Sequence, residues 1–238
     1  MPDPTNMTQS TQMQRTMWRL LFHHLPLALV TAAALLVLYA YLATEADDAV
    51  FIWSMATGYA GLALLCATLV AGPLNVLRGQ RNPVSTDIRR DIGIWTGLVG
   101  LAHVLVGIQV HFRGRWWMYF VREVEGSEDF PLRVDLFGFA NYTGVGATLI
   151  LLLLLARSND ASLGRLKARR WKSLQRWNYG LMVLVVVHGV AYQLIEKRQL
   201  AFIVLLGLLV VATVGAQATG FRQRLVRSEL PSCAPPTG

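Results

Sequence analysis

Charged residues are scarce in this chain: they make up 15% of its 238 residues, against about 25% in soluble globular proteins. Hydrophobic residues make up 54%, which excludes a disordered chain and a coiled coil. Only two cysteines occur, Cys66 in an apolar run and Cys233 in a polar tail, so a disulfide-rich secreted scaffold is excluded. The net charge of +8 does not indicate a nucleic-acid partner, because cations flank the spans of membrane proteins.

Charge is absent from six long apolar stretches, residues 25–44, 49–77, 92–112, 136–156, 177–195 and 199–221. A helix of ~20 residues crosses a hydrocarbon core of roughly 30 Å, and only helices or closed barrels can span one. We therefore predict an all-α membrane protein, a bundle of six transmembrane helices over residues 25–221. Residues 1–24 form a cytoplasmic segment, whose end could lie along the interface as a helix, and residues 222–238 form a short cytoplasmic tail.

The distribution of basic residues predicts the orientation. With the N-terminus inside, the inner segments 1–24, 78–91, 157–176 and 222–238 hold 16 of the 22 lysines and arginines, and the outer loops hold 6. Because positive residues are retained on the cytoplasmic side, both termini are predicted to be cytoplasmic. The basic inner loops are interpreted as topology determinants beside anionic lipid, with a docking surface for an acidic electron donor as the alternative.

The predicted spans lack the groups that most enzymes use: they contain no carboxylate for a proton relay, and the chain shows no nucleophile motif or phosphate loop. Two ionisable groups do lie at membrane depth, His103 in the third stretch and His188 in the fifth. Such groups are costly in a membrane and indicate a functional site. His103 lies 13 residues beyond Arg90 and His188 lies 13 beyond Gln175, so on parallel helices both sit ~20 Å from the inner boundary.

Two imidazoles at one level can provide both axial ligands of a haem held between the helices. Such ligation leaves no open position for oxygen and favours electron transfer. The alternative is that each histidine bonds a backbone carbonyl or a hydroxyl group of a neighbouring helix. Zinc is less favoured, because a tetrahedral site requires three or four protein ligands. His103 and His188 are therefore the predicted cofactor-binding and metal-ligating residues, and no catalytic residue is predicted.

His111 and the loop after it allow more than one interpretation. His111 lies eight residues beyond His103, about 12 Å nearer the outer surface. It is either a solvated or propionate-contacting histidine at the lipid–water boundary or part of an outer redox or quinone site. The outer loop 113–135 combines aromatic residues, typical of the headgroup region, with an acidic stretch at 123–129. That stretch is either solvated or a surface for a partner.

Four segments of the chain carry a family resemblance. Residues 68–79 (TLVAGPLNVLRG) are similar to a TL-x-x-TPLR segment, and residues 89–103 (RRDIGIWTGLVGLAH) resemble RR-x-LGL followed by a histidine. Residues 155–163 resemble an LA-x-TS segment, and residues 171–188 (WKSLQRWNYGLMVLVVVH) resemble WK-x-LHRL-x-Y followed by a histidine. The four patterns are those of the ferric reductase-like transmembrane domain family. The chain resembles this family, and within it most closely the MsrQ-type (YedZ-type) haem-binding membrane subunits.

The resemblance implies a six-helix haem b module in a bacterial inner membrane, with His103 and His188 as axial ligands and electrons supplied to a periplasmic methionine sulfoxide reductase. One position departs from the pattern: Gln175 replaces the first histidine of the fifth helix. Family members with two stacked haems use that position for the inner one. Glutamine is a poor haem ligand, and only Arg89 and Arg90 stand at the matching depth on the third helix. We therefore expect one haem, in the outer half.

Two functions remain open at this point. The first is an integral membrane cytochrome b-like subunit that takes single electrons from a quinol or a partner-bound flavin and passes them to a protein at the outer face. It would be the electron-transfer subunit of an oxidoreductase system rather than a complete enzyme, since about 17 residues after the sixth stretch cannot form a dinucleotide-binding fold. The second is an accessory, structural subunit of a larger membrane complex, with or without haem.

Overall fold

The computed structural model describes residues 13–14, 16–79, 87–122, 131–158 and 173–229. Six helices in these ranges are long and apolar enough to cross a membrane, which confirms the predicted all-α fold of a multi-pass membrane protein. They are α1 (Thr16–Leu42), α2 (Ala49–Leu77), α3 (Asp87–Val110), α4 (Leu136–Ala156), α5 (Trp177–Ile195) and α6 (Leu200–Glu229). The acidic stretch 123–129 and most of the basic segment 157–176 lie outside the described residues.

Three helices extend beyond the charge-free stretches that predicted them. Helix α1 begins at Thr16 and contains a π-helical turn over Leu20–His24, so residues 18–27 continue into the first span as one helix. Helix α3 begins at Asp87, and α6 continues to Glu229. The difference arises because the absence of charge marks the hydrocarbon core, whereas a helix can continue into the polar boundary on either side. That the start of α1 lies along the interface stays a prediction.

Helix α2 is the centre of the bundle. It packs against α1, α3, α5 and α6, while α4 packs against α3 and α5. Because α4 returns between them, α3 and α5 run in the same direction. The main hydrophobic core joins α2, α4, α5 and α6 and is formed by Leu62, Leu65, Cys66, Leu69, Ala147, Leu151, Leu154, Leu181, Met182 and Leu206. The fold thus combines two closely packed helix pairs, α2 with α3 and α4 with α5.

Two aspartates begin helices at the predicted outer end, the end that carries residues 43–48, 111–122, 131–135 and 196–199. Asp48 accepts a hydrogen bond from the backbone N–H of Val50 at 2.9 Å, and Asp135 accepts one from Gly138 at 2.8 Å. These bonds satisfy backbone donors that the first turn of a helix leaves without partners. The bond from Gly138, together with Arg122 and Arg133, lowers the pKa of Asp135.

Candidate functional site

The imidazole rings of His103 and His188 lie side by side between α3 and α5. Their centroids are 6.3 Å apart and their planes are inclined by 83°. The structure therefore brings together the two histidines that the equal spacing from the inner helix ends predicted to share a level. Both rings line one cavity, formed by α2 to α6 and by the loop that follows α3.

Each ring is hydrogen-bonded through Nδ1 to a backbone carbonyl of the neighbouring helix. His103 Nδ1 lies 2.9 Å from the Ser54 carbonyl oxygen in α2, and His188 Nδ1 lies 2.8 Å from that of Ala140 in α4. A carbonyl oxygen can only accept, so Nδ1 donates in both rings and Nε2 keeps its lone pair. The backbone bonds that formed the alternative prediction are present, yet they also orient an imidazole as a metal ligand, since ligating histidines commonly donate their second N–H in this way.

A glycine lies beneath each ring, four residues after the carbonyl that accepts the bond. A Cβ atom at Gly58 would stand 3.1 Å from Cε1 of His103, and one at Gly144 would stand 3.0 Å from Nδ1 and Cε1 of His188. Both distances are shorter than ordinary contacts. The same arrangement of carbonyl, glycine and histidine therefore occurs twice, once in the α2–α3 pair and once in the α4–α5 pair.

The donor set fits a planar iron porphyrin better than a bare metal ion. Two metal–nitrogen bonds of about 2 Å each, plus about 1 Å from each nitrogen to its ring centroid, give a separation of about 6 Å, close to the 6.3 Å between His103 and His188. In the described part of the chain, no group of three or more His, Cys, Asp or Glu side chains is arranged to hold a metal ion. A macrocycle brings its own equatorial nitrogens and requires only two ligands from the protein.

His111 lies at the predicted outer end of the same cavity. Its Nε2 atom is 3.2 Å from Glu196 Oε1, and its ring stacks against Tyr192 with centroids 6.2 Å apart. Tyr192 in turn lies 4.9 Å from the ring of His188. Burial lowers the pKa of His111, opposed in part by Glu196. A continuous line of ring contacts thus joins the histidine pair to the predicted outer end.

A much smaller cavity lies in the predicted inner half of the bundle. This second cavity, beside Gln175, Arg89 and Arg90, has a volume of about 30 Å³, against about 230 Å³ for the first. A single buried water requires roughly 10–15 Å³ on this scale, so the second cavity has room for only two or three waters. The Gln175 side-chain oxygen accepts a bond from Asn178 at 3.0 Å.

Leucines of α4 occupy the space beside the inner half of α3. A Cβ atom at Gly97 would stand 2.9 Å from Leu155, and one at Gly100 would stand 2.7 Å from Leu151. The glycines admit these side chains, and the two helices pack together where a second macrocycle would require an opening.

A buried carboxylate joins α3 to the beginning of α1. The Asp91 side chain is 0% exposed; it accepts a hydrogen bond from Arg19, and its Oδ2 atom lies 2.7 Å from Nδ1 of His23. His24 Nε2 lies 3.5 Å from the other carboxylate oxygen. Asp91 therefore lies within helix α3, just before the charge-free stretch 92–112, which itself contains no carboxylate. Asp91 was counted in an inner loop because the charge-free stretch begins one residue later.

Sequence reasoning found the two histidines and missed what holds them. No motif in the sequence singles out Ser54, Gly58, Ala140 or Gly144. A signal does exist in the chain: Ser54 and His103 are 49 residues apart, Ala140 and His188 are 48 apart, and a glycine follows four residues after Ser54 and Ala140 alike. The match becomes meaningful only once both hydrogen bonds are seen.

A relative of known function identifies the family of the chain. The protein from Ralstonia nicotianae named "Protein-methionine-sulfoxide reductase heme-binding subunit MsrQ" is 33% identical over 162 residues, which cover 68% of this chain and 68% of the relative. No family model matches the chain. No solved structure shows a significant match to it.

Proposed function

The chain belongs to the family of MsrQ, the heme-binding subunit of protein-methionine-sulfoxide reductase, and from this premise we propose that it is a b-type cytochrome-like electron-transfer subunit with one haem between α3 and α5. The observation that carries the proposal is the 6.3 Å separation of the His103 and His188 rings, each with Nδ1 bonded to a backbone carbonyl. A haem supplies a one-electron carrier, and two imidazole ligands leave it no open coordination position.

The protein's own contribution is to orient the two imidazoles. The Ser54 and Ala140 carbonyls hold the tautomer in which Nε2 is available as a ligand, and they make the imidazoles more basic donors. The cavity around the rings is otherwise mainly apolar, with Leu62, Val104 and Leu206 among its lining residues. Such surroundings influence the redox potential of a buried cofactor by burial and low dielectric.

We propose one haem per chain. Gln175 occupies the position on α5 at which a ligand for a second, inner haem would be expected. The side chains of Leu151 and Leu155 fill the space beside the inner half of α3. The electron donor must then deliver electrons to the outer half of the bundle. We propose that the donor is either a quinol within the membrane or a flavin bound by a partner chain.

The proposed orientation places both termini in the cytoplasm of a bacterium and the histidine pair in the outer half of its inner membrane. A protein partner would then accept electrons at the outer face, and the name of the relative suggests a methionine sulfoxide reductase. The contacts from His188 through Tyr192 to His111 support an exit toward that face. A reporter that is active only in the cytoplasm, fused after residue 238, tests the orientation, and its inactivity would reverse the assignment.

An accessory role in a larger membrane complex is the second candidate. The filled inner half favours it, because a chain with no cofactor near the inner face lacks an evident relay across the whole membrane. Isolation of the protein only within a larger assembly, without a haem spectrum, would support this candidate over the first.

The absorption spectrum of the purified protein tests the electron-transfer proposal. We expect a low-spin haem b spectrum that is lost in His103→Ala and in His188→Ala, because each variant removes one axial ligand. His111→Ala serves as the matched control, since this histidine lines the same cavity but is not assigned as a ligand. A normal spectrum in either of the first two variants would refute the assigned ligation.

A further inference from the structure

Arg198 turns back toward the bundle from the loop between α5 and α6. Lys197 before it has a φ of +47°, a left-handed conformation that residues with a side chain seldom adopt. The backbone N–H of Arg198 donates to the Gln193 carbonyl at 3.1 Å. As a result, the guanidinium carbon of Arg198 lies 4.7 Å from the centroid of the Phe51 ring, and Arg198 lines the cavity of the histidine pair.

Arg198 has no acidic partner among the described residues that line the cavity. Among the described residues that line the cavity, no other is Arg or Lys, and none is Asp or Glu. The nearby Glu196 has its carboxylate 3.2 Å from His111 Nε2, and no salt bridge joins it to Arg198 in the described part of the chain. Burial lowers the pKa of Arg198, whereas the negative charge of Glu196 acts to raise it. A cation withdrawn from water is unfavourable unless an anion pairs with it.

A haem would bring the missing anion, because its two propionate carboxylates project from one edge of the macrocycle. A planar guanidinium binds a carboxylate through two parallel hydrogen bonds. Arg198 lies at the predicted outer end of the cavity, beyond the histidine pair. We propose that Arg198 binds a propionate carboxylate of the haem and so fixes the rotation of the macrocycle between His103 and His188. This inference rests on the proposed function.

Two other partners would give Arg198 a different role. A phosphate group of a lipid could pair with the guanidinium at the membrane boundary, or the stacking on Phe51 could be its whole function. Neither depends on the carboxylates of a porphyrin. Esterification of those carboxylates therefore distinguishes the proposal from both alternatives.

The experiment compares haem with haem dimethyl ester. The full-length protein is prepared without cofactor and titrated with each compound, and binding is followed by the absorption spectrum. We expect the wild type to bind haem about tenfold or more tightly than the ester, the magnitude expected for a charged hydrogen-bonded contact. In Arg198→Gln this ratio should fall toward one, while Arg198→Lys should retain part of it. Arg122→Gln, an exposed arginine at the same end that pairs with Asp135, should keep the wild-type ratio.

The outcomes separate this inference from the proposed function. If the wild type binds neither compound with a bis-histidine spectrum, the proposed function fails and the inference fails with it. If the wild type binds haem normally but Arg198→Gln keeps the wild-type ratio, the proposed function stands and the inference is overturned. Should Arg198→Gln not fold, Arg198→Lys decides by the same ratio. A pH titration of the haem midpoint potential gives a second readout, in which a propionate freed from its arginine should add a new pH dependence.

Discussion

Gly144 packs directly against the imidazole of His188, so closely that a Cβ atom at this glycine would stand 3.0 Å from Nδ1 and Cε1 of the ring. The carbonyl that bonds the same ring belongs to Ala140, one helical turn earlier. One turn of α4 therefore supplies both the hydrogen-bond acceptor for the His188 ring and, at Gly144, the space into which the ring packs. The corresponding turn of α2, from Ser54 to Gly58, does the same for His103.

The first prediction concerns these two glycines. Gly144→Ala and Gly58→Ala should each displace a ring by a few tenths of an ångström and destabilise the site by about 1–3 kcal/mol, as overpacking does elsewhere. The measurement is haem retention and the shape of the low-spin spectrum in the purified variants. Gly207→Ala in α6 is the matched control, because a Cβ atom there meets nothing within 4 Å. Equal effects in all three variants would contradict the prediction.

The second prediction concerns the filled inner half. Gln175→His restores a potential ligand on α5, but we expect the haem content to remain one per chain. The reason is that Arg89 and Arg90 stand on the α3 side of the small inner cavity and leucines of α4 fill the adjoining space. Pyridine haemochrome against protein mass measures the ratio. Two haems per chain, in the wild type or in this variant, would show that the inner half can open.

The third prediction concerns the buried carboxylate. Asp91→Asn removes the buried negative charge that pairs with Arg19 and lies beside His23. Breaking such a pair costs about 3–5 kcal/mol, so the thermal unfolding temperature in detergent should fall clearly. Asp87→Asn, one turn earlier at an exposed position beside Arg90, should change stability by no more than about 0.5 kcal/mol. Similar stabilities for the two variants would indicate that the pair contributes little.

The fourth prediction concerns the protonation of His111. Its pKa lies below the ordinary 6.5 because burial disfavours the imidazolium, while Glu196 opposes this effect and Arg198 adds to it. Between the lowered pKa and 6.5 the folded protein binds fewer protons than the unfolded chain, so acidification through that window reduces stability. NMR of histidine-labelled protein should give a titration midpoint below 6.5. Glu196→Gln should lower the midpoint further and Arg198→Gln should raise it; shifts of opposite sign would contradict the contacts described.

Much of the fold was predictable because the membrane restricts it so strongly. A hydrocarbon core admits a backbone only as helices or closed barrels, so long stretches without charge, such as residues 136–156, indicated helices and their order along the chain. The boundaries were less predictable. Asp91 lies in α3 and not in a loop, because its charge is satisfied by Arg19 and His23 from another helix. Contacts between distant segments cannot be read from local composition.

The sequence by itself indicated which residues could be ligands, since a histidine at membrane depth is costly and equal spacing predicts that His103 and His188 share a level. Only the tertiary structure decided that their ring centroids lie 6.3 Å apart, with planes inclined by 83°, and which nitrogen of each is bonded to the backbone. The physical reason is that depth along a helix follows from a fixed rise per residue. Helix rotation, by contrast, is set by packing, here by glycines and carbonyls nearly fifty residues away.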